Sequence, residues 1–345
     1  MMEKGRILQF SYLRTCACLA IVVLHTVFAA NTYQLDTLNS GQNTVSRMVE
    51  NNMMWAVPVF LMVTGALLLD PEKEIGIGRI LRRYAGRILI ALLIFCLVFR
   101  IFDMAMDGEP FTAAGILYAF VELFTGKSWG HLWYLYLLIG VYLMLPFFRA
   151  VVRGCSRKEL LYLLIVYVVF LSLLPMTEMA GIHCGFYITT AIIYPLYLLC
   201  GYMIHNGLLP IGRTAGICLA AAGTAALLVL TWISCRTGAD TLNYMFGYSS
   251  IAVIAQTLGV FAIFDSIRFK SSSPVCRAVL QMDRCSFGIY LIHMIFVRWV
   301  LRYADFDPYT HGGALTIAGL VAGFFLLSFG ITWALKLIPG LKRIV

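Results

Sequence analysis

Charged residues are scarce in this chain of 345 residues. Lysine, arginine, aspartate and glutamate together make up 12% of it, whereas about 25% is usual in a soluble domain, and 61% of its residues are hydrophobic. Polar stretches of domain length, low-complexity segments and long linkers are also lacking. The composition therefore excludes an ordinary soluble globular protein and predicts one integral membrane domain over residues 1–345.

Metal-binding patterns are lacking as well. The ten cysteines show none of the spacings typical of metal sites, and those within apolar runs are expected to pack as small hydrophobic residues. We therefore expect no metal site. Cys184 and Cys235 fall at the predicted outer surface, and a disulfide between them stays open because the sequence gives no distance between the two residues.

Long hydrophobic runs, in contrast, recur along the whole chain. A membrane-spanning helix needs roughly 20 mostly apolar residues, and runs of this length form helices because every backbone group must be hydrogen-bonded inside the bilayer. Ten runs fit this description, at residues 8–30, 52–69, 84–102, 131–150, 159–176, 186–205, 214–234, 245–267, 286–303 and 314–338. Segment 112–125 is amphipathic and too short to span, which predicts an interfacial helix. The predicted fold is an all-α, polytopic bundle of about ten transmembrane helices.

Positive charge is distributed unevenly around these runs. Most of the 26 lysines and arginines lie at the two termini or in the even-numbered loops. Basic residues concentrate on the cytoplasmic side of membrane proteins, so both termini are predicted to be cytoplasmic. Membrane topology thereby explains the net charge of +9, and no nucleic-acid partner is needed.

The first run contains one arginine and one histidine within "LRTCACLAIVVLHT", Arg14 and His25. They are 11 residues apart, which at about 100° per residue places them on one helix face, roughly 16 Å apart along the axis. Two interpretations are open. In the first, Arg14 reaches the cytoplasmic headgroups and His25 hydrogen-bonds between helices. In the second, both line a polar path in which the guanidinium holds an anionic group and the imidazole is a general base.

The second run, "VPVFLMVTGALLL", holds the small or helix-bending residues Pro58, Thr64 and Gly65. In membrane helices such residues let two backbones approach closely, or bend a helix that walls a cavity. Either use is compatible with the sequence.

An arginine cluster follows this run, in "GRILRRYAGR" at residues 78–87 on the predicted inner surface. Arg79, Arg82 and Arg83 either anchor the protein by the positive-inside rule or bind the phosphates of a cytosolic nucleotide carrier such as coenzyme A. The cluster alone does not separate these two uses.

Aromatic and histidine residues mark the starts of two further runs. "HLWYLYLLIGVYLMLPF" begins with His131, Trp133 and Tyr136, which suit either an interfacial aromatic belt or a sugar held by stacking and hydrogen bonds. "SFGIYLIH" places Tyr290 and His293 on one polar stripe of an apolar helix. That stripe predicts either interhelical hydrogen bonds or the lining of a substrate cavity.

With these segments, the sequence resembles the membrane-bound acyltransferase 3 family, and within it the surface-polysaccharide O-acetyltransferases of the enterobacterial common antigen type. The resemblance covers nearly the whole chain. It rests on the arginine and histidine of the first run, "VPVFLMVTG" followed by basic residues, "HLWYLYLLIGVYLMLP", "LYLLCGYMI" and "SFGIYLIH". Each motif alone is weak, whereas the five in this order at matching topological positions are specific.

The resemblance implies a multi-pass enzyme of a bacterial cytoplasmic membrane that takes an acyl group, acetyl in our hypothesis, from cytosolic acyl-coenzyme A. The acceptor is a hydroxyl of a cell-surface glycan, and no permanently bound cofactor is expected. The resemblance also implies that Arg14 and His25 are needed for activity. His25 then acts as general base or carries the acyl group, and the sequence leaves these routes, and acetyl versus succinyl, open.

A transporter of a small amino acid or of a lipid-linked glycan is the alternative, because ten helices with intramembrane His25, His293 and Pro58 suit one as well. Against it, the sequence shows no convincing internal repeat and no pair of glycine-interrupted helices in matching halves. A purely structural membrane subunit leaves the polar face of the first run unexplained.

Overall fold

The computed structural model describes residues 7–180, 192–271 and 273–344, and all regular secondary structure within these ranges is helical. Within them, nine helices are long and apolar enough to cross a membrane. In chain order these are Leu8–Tyr33 (span 1), Ser40–Leu68 (span 2), Ile77–Met106 (span 3), Gly130–Gly154 (span 4), Arg157–Thr177 (span 5), Arg213–Thr237 (span 7), Thr241–Ser266 (span 8), Pro274–Tyr303 (span 9) and Ala314–Leu335 (span 10). The prediction of an all-α, polytopic membrane protein is confirmed.

The predicted sixth run lies partly outside the described residues. Its described part forms the helix Tyr194–His205, here called span 6, which is buried along most of its length. Residues 186–191 at its start belong to the part of the chain that is not described, and so does Cys184. The suggested pairing of Cys184 with Cys235 therefore lies outside the described residues.

Spans 2 and 9 begin earlier than their hydropathy predicted, at Ser40 and Pro274. Both starts are polar and are fixed by side-chain caps. Asn39 and Gln42 form a reciprocal capping box at the start of span 2, and the Ser273 hydroxyl accepts the Cys276 N–H at 3.0 Å. The longer span 9 includes Asp283, which the sequence prediction had placed outside the membrane helices.

The segment predicted to be interfacial forms the short helix Ala113–Thr125. Thr112 caps its start, with its hydroxyl accepting the Gly115 N–H at 3.0 Å. It ends at Gly126, whose φ of +67° is a left-handed conformation that glycine adopts without strain. The helix packs on span 3 and exposes Phe124 on its other face.

Two glycines allow spans 2 and 6 to pack backbone against backbone. A Cβ atom on Gly65 would lie 1.8 Å from the Leu198 carbonyl oxygen, and one on Gly201 would lie 2.0 Å from the Met62 carbonyl oxygen. Atoms of these types cannot come so close, so only glycine permits this approach. The close-packing interpretation of Gly65 therefore holds, and its partner is span 6.

Substituting Gly201 by alanine is expected to force spans 2 and 6 apart and to destabilise the protein by about 1–3 kcal/mol, the usual cost of overpacking. The check is the thermal unfolding temperature of the purified protein in detergent. Gly140→Ala is the matched control, because a Cβ on this helical glycine meets nothing within 4 Å. Equal melting temperatures for the two variants would contradict the packing argument.

Candidate functional site

Arg14 and His25 of span 1 both face span 9. Arg14 and His25 share a face of span 1, as their spacing predicted, and each contacts a polar residue of span 9. Arg14 meets Asp283, and His25 meets His293. The two helices are thus connected by two polar contacts, separated along the axis by roughly 15 Å as judged from the helical rise.

The inner contact is a bidentate ion pair. Arg14 Nε donates to Asp283 Oδ1 at 2.7 Å, and Arg14 Nη2 donates to Asp283 Oδ2 at 2.9 Å. The Asp283 side chain is only 1% exposed and that of Arg14 is 23% exposed. The guanidinium therefore keeps a fixed orientation, since both partners of a forked contact are held in one plane.

The outer contact belongs to a cluster of three imidazoles, His25, His131 and His293, here called the histidine cluster. His25 Nδ1 lies 2.8 Å from His293 Nε2, and these two rings stack with their centroids 5.1 Å apart. The ring of His131 stands edge-on to both, at 6.1 Å from His25 and 5.8 Å from His293. His293 and His131 are buried.

His131 is positioned by its backbone rather than by its ring. It lies in the short 3₁₀ turn Gly130–Leu132 that begins span 4, and its carbonyl oxygen accepts a hydrogen bond from the Tyr290 hydroxyl. Within the described residues, neither ring nitrogen of His131 has a hydrogen-bond partner. An unmet buried polar group costs about 1–3 kcal/mol, so this imidazole is suited to bind a polar group of a substrate.

A cavity of about 380 Å³ leads from the ion pair toward the histidine cluster. Arg14 and Arg87 line its inner part, and Tyr134 and Tyr290 line it near the cluster. The rings of Tyr290 and His131 are 5.6 Å apart. Its other lining residues are mostly apolar: Cys18, Ile21, Phe60, Val63, Thr64, Leu67, Leu68, Tyr84, Ile88, Leu138, Tyr142, Ser286 and Phe287.

The other predicted anion-binding residues lie outside this cavity. Arg79, Arg82 and Arg83 are exposed, in and next to the π-helical turn Ile80–Ala85 that precedes the longer helix of span 3. Arg87 comes after the turn, and its guanidinium lies 5.4 Å above the Phe287 ring of span 9. The structure therefore adds Arg87 to the candidate site and leaves the three predicted arginines outside the cavity.

Trp133 and Tyr136 do not contact the histidine cluster. The Trp133 ring is partly exposed and packs near Tyr194 and Tyr248, at 6.0 and 5.6 Å. The Tyr136 hydroxyl donates to the Leu123 carbonyl oxygen at 2.6 Å and so ties span 4 to the short helix. Of the five predicted substrate-binding residues, the structure brings His131, Tyr290 and His293 together with His25 and places these two elsewhere.

A second ion pair lies beside the cluster and was not found from the sequence. Arg298 Nη1 donates to Asp103 Oδ1 at 2.9 Å, while the Trp129 indole N–H donates to Asp103 Oδ2 at 2.7 Å. Arg298 also lies 4.3 Å above the Trp129 ring, which is 6.1 Å from the ring of His131. This group borders His131 on the predicted outer side of the cluster.

In the described parts of the chain, no three His, Cys, Asp or Glu side chains are arranged to hold a metal ion. Comparison with known proteins gives one match. A family model described as an acyltransferase domain matches residues 7–336, which include all the spans and every residue of the site. Among curated proteins and among solved structures, none matches the chain.

Proposed function

Since the chain belongs to the acyltransferase family whose model matches residues 7–336, it is a membrane-spanning acyltransferase, and we propose that it is an O-acetyltransferase. The donor is cytosolic acetyl-coenzyme A, and the acceptor is a hydroxyl of a glycan on the outer side of a bacterial cytoplasmic membrane. One observation carries the proposal. The cavity connects two arginines on the inner side to tyrosines that border the histidine cluster.

The inner part of the cavity suits coenzyme A. Its phosphates would bind Arg87 and the N–H groups of Arg14 that do not contact Asp283, together with the exposed Arg79, Arg82 and Arg83 outside the cavity. Guanidinium groups bind phosphate oxygens in forked, charge-assisted contacts. The pantetheine arm would occupy the apolar part of the cavity, and the whole cavity, at about 380 Å³, falls within the usual range for ligand pockets.

The lining of the cavity favours a neutral acyl group. Its two cationic lining residues, Arg14 and Arg87, both belong to its inner part, where the phosphates would bind, and Arg14 is already paired with Asp283. Next to the cluster it is lined by Tyr134 and Tyr290. A succinyl carboxylate there would be buried without a cation, which is costly, so acetyl is the group that fits.

His25 supplies the base in this proposal. It accepts the proton of the acceptor hydroxyl while the hydroxyl oxygen attacks the thioester carbonyl; the C–O bond forms, the C–S bond breaks, and the proton passes to the departing thiolate. The tetrahedral intermediate carries an oxyanion that needs hydrogen-bond donors. Tyr136, Tyr290 and His293 already donate to backbone carbonyls, so His131 is the donor with unused capacity.

The acceptor would reach this site from the outer side. The ring nitrogens of His131 can hydrogen-bond a sugar hydroxyl, and the guanidinium of Arg298 lies nearby, over the Trp129 ring. The transporter alternative has no support in the family match.

The test uses membranes from cells that express the protein. They receive radiolabelled acetyl-coenzyme A, and label in the extracted glycan is counted; this is the transfer assay used below. Coenzyme A should also raise the melting temperature of the purified protein, because a ligand stabilises the fold it binds. If labelled glycan does not form and coenzyme A leaves the melting temperature unchanged, the proposed function is wrong.

Arg87→Gln is expected to raise the KM for acetyl-coenzyme A about tenfold, since a hydrogen bond to a charged group contributes about 1.5–3 kcal/mol. The transfer assay, run over a range of donor concentrations, measures this. Lys158→Gln is the control, because Lys158 is an exposed cation of the same predicted side and does not line the cavity. A KM that rises equally in both variants would indicate general surface charge rather than a specific contact.

A further inference from the structure

The hydrogen bonds of His293 determine which of its ring nitrogens carries a proton. His293 Nδ1 lies 3.0 Å from the carbonyl oxygen of Ile289, one helical turn earlier in span 9. A carbonyl oxygen only accepts hydrogen bonds, so Nδ1 must be protonated and donate. His293 is 0% exposed, and a buried imidazole is neutral unless an anion compensates its charge. The other nitrogen, Nε2, therefore carries a lone pair.

The tautomer of His25 follows from that lone pair. His25 Nδ1 lies 2.8 Å from His293 Nε2, a hydrogen-bond distance at which one of the two nitrogens must donate. Since His293 Nε2 has no proton, His25 Nδ1 is the donor. A neutral imidazole has one N–H, so His25 Nε2 is unprotonated and carries a lone pair.

We infer that His293 is a positioning residue for His25: it holds the imidazole in the Nδ1–H tautomer and leaves Nε2 as the atom that accepts the acceptor's proton. This inference rests on the proposed function for its catalytic meaning. The sequence pattern left open whether His293 lines a substrate cavity or forms an interhelical hydrogen bond. The inference assigns it the hydrogen bond, to His25, and no direct contact with the substrate.

The same contact stabilises the charged state of His25 during the reaction. When Nε2 takes the hydroxyl proton, His25 becomes an imidazolium whose Nδ1–H still donates to His293 Nε2. A lone pair facing this N–H stabilises the cation, as a carboxylate does in other acid–base pairs. The proton then moves from Nε2 to the departing thiolate, so His25 and His293 return to their starting forms and no other reactant is needed.

The inference is tested by substitution of His293. In His293→Gln the side-chain carboxamide offers an oxygen as acceptor in place of Nε2, whereas His293→Leu offers none. We expect the leucine variant to lose roughly 10²-fold in kcat with the KM for acetyl-coenzyme A unchanged, and the glutamine variant to recover most of that loss. His311→Leu, at an exposed loop histidine, is the control with unchanged rates.

A spectroscopic readout separates positioning from folding and from the proposed function. Protein labelled with ¹⁵N at its six histidines reports the tautomer of each ring by NMR, and the His25 signal is assigned by its loss in His25→Asn. We expect the Nδ1–H form for His25 in the wild-type protein. Finding the Nε2–H form there overturns the inference, whether or not the variants fold.

The two proposals fail separately. If the wild-type protein shows the Nδ1–H form of His25 but labels no glycan, the proposed function is wrong and the placement of the proton stands. If it labels glycan and His293→Leu keeps wild-type kcat, the function stands and His293 has no positioning role.

Discussion

Replacing His25 by alanine is expected to lower the rate of the transfer assay by roughly 10²–10⁴-fold, the usual contribution of a general base. The expectation follows from the contact of His25 with His293 and from Tyr290, which lines the cavity and neighbours the histidine cluster. If transfer takes place at another residue, His25→Ala will retain activity within a few-fold of the wild-type protein.

A control on the same helix separates chemistry from folding. Thr32→Ala removes an exposed hydroxyl that donates to the Phe28 carbonyl of span 1, far from the cavity lining, and should leave the rate unchanged. Coenzyme A should still raise the melting temperature of His25→Ala, because the phosphate-binding arginines are intact. A variant that no longer binds coenzyme A would point to a structural role for His25 instead.

Labelling of the protein itself distinguishes the two chemical routes that the sequence left open, in which His25 is a general base or carries the acyl group. If His25 carries the acyl group, the wild-type protein given radiolabelled acetyl-coenzyme A without acceptor will hold label that hydroxylamine releases. A general base forms no such adduct, so the protein will stay unlabelled. His25→Ala is the blank for this measurement.

Local spacing explains how much of the site was predictable. The shared face of Arg14 and His25 follows from 3.6 residues per turn, and the same rule placed Tyr290 and His293 on one stripe. The partners of these residues do not follow from spacing. Asp283 is 269 positions from Arg14 in sequence. Because its neighbours are polar, the apolar run predicted from hydropathy began at residue 286, twelve residues after the true start of span 9 at Pro274.

Helix rotation explains which arginine was missed. In a regular α-helix, Arg83 and Arg87 would share a face, because they are four residues apart. The π-helical turn Ile80–Ala85 contains Arg83 and widens the helix before Arg87, which changes the angle between these two side chains around the helix axis. Arg87 then lines the cavity, while Arg83 stays outside it. Sequence periodicity gives no sign of such a turn.

Aromatic composition was a weaker guide than periodicity. Trp133 and Tyr136 belong to the same motif as His131, but their rings contact neighbouring helices rather than the histidine cluster. The interfacial and sugar-binding interpretations predict the same residue types at a helix start, so only the rotation of span 4 separates them.

The second large effect is expected at the ion pair. Asp283→Leu should destabilise the protein, because it leaves the guanidinium of Arg14 without its anion. Breaking a fully buried pair costs about 3–5 kcal/mol, and the cost here should fall below that range because Arg14 is 23% exposed. Thermal unfolding in detergent measures the loss.

The double variant Arg14→Met with Asp283→Leu separates stability from function. Apolar residues of similar volume often replace a buried ion pair without loss of stability, so its melting temperature should return close to that of the wild-type protein. Transfer should nevertheless stay low and the KM for acetyl-coenzyme A high, because Arg14 also lines the cavity. If the double variant regains both stability and transfer, the pair only holds spans 1 and 9 together, and Arg14 takes no part in binding the donor.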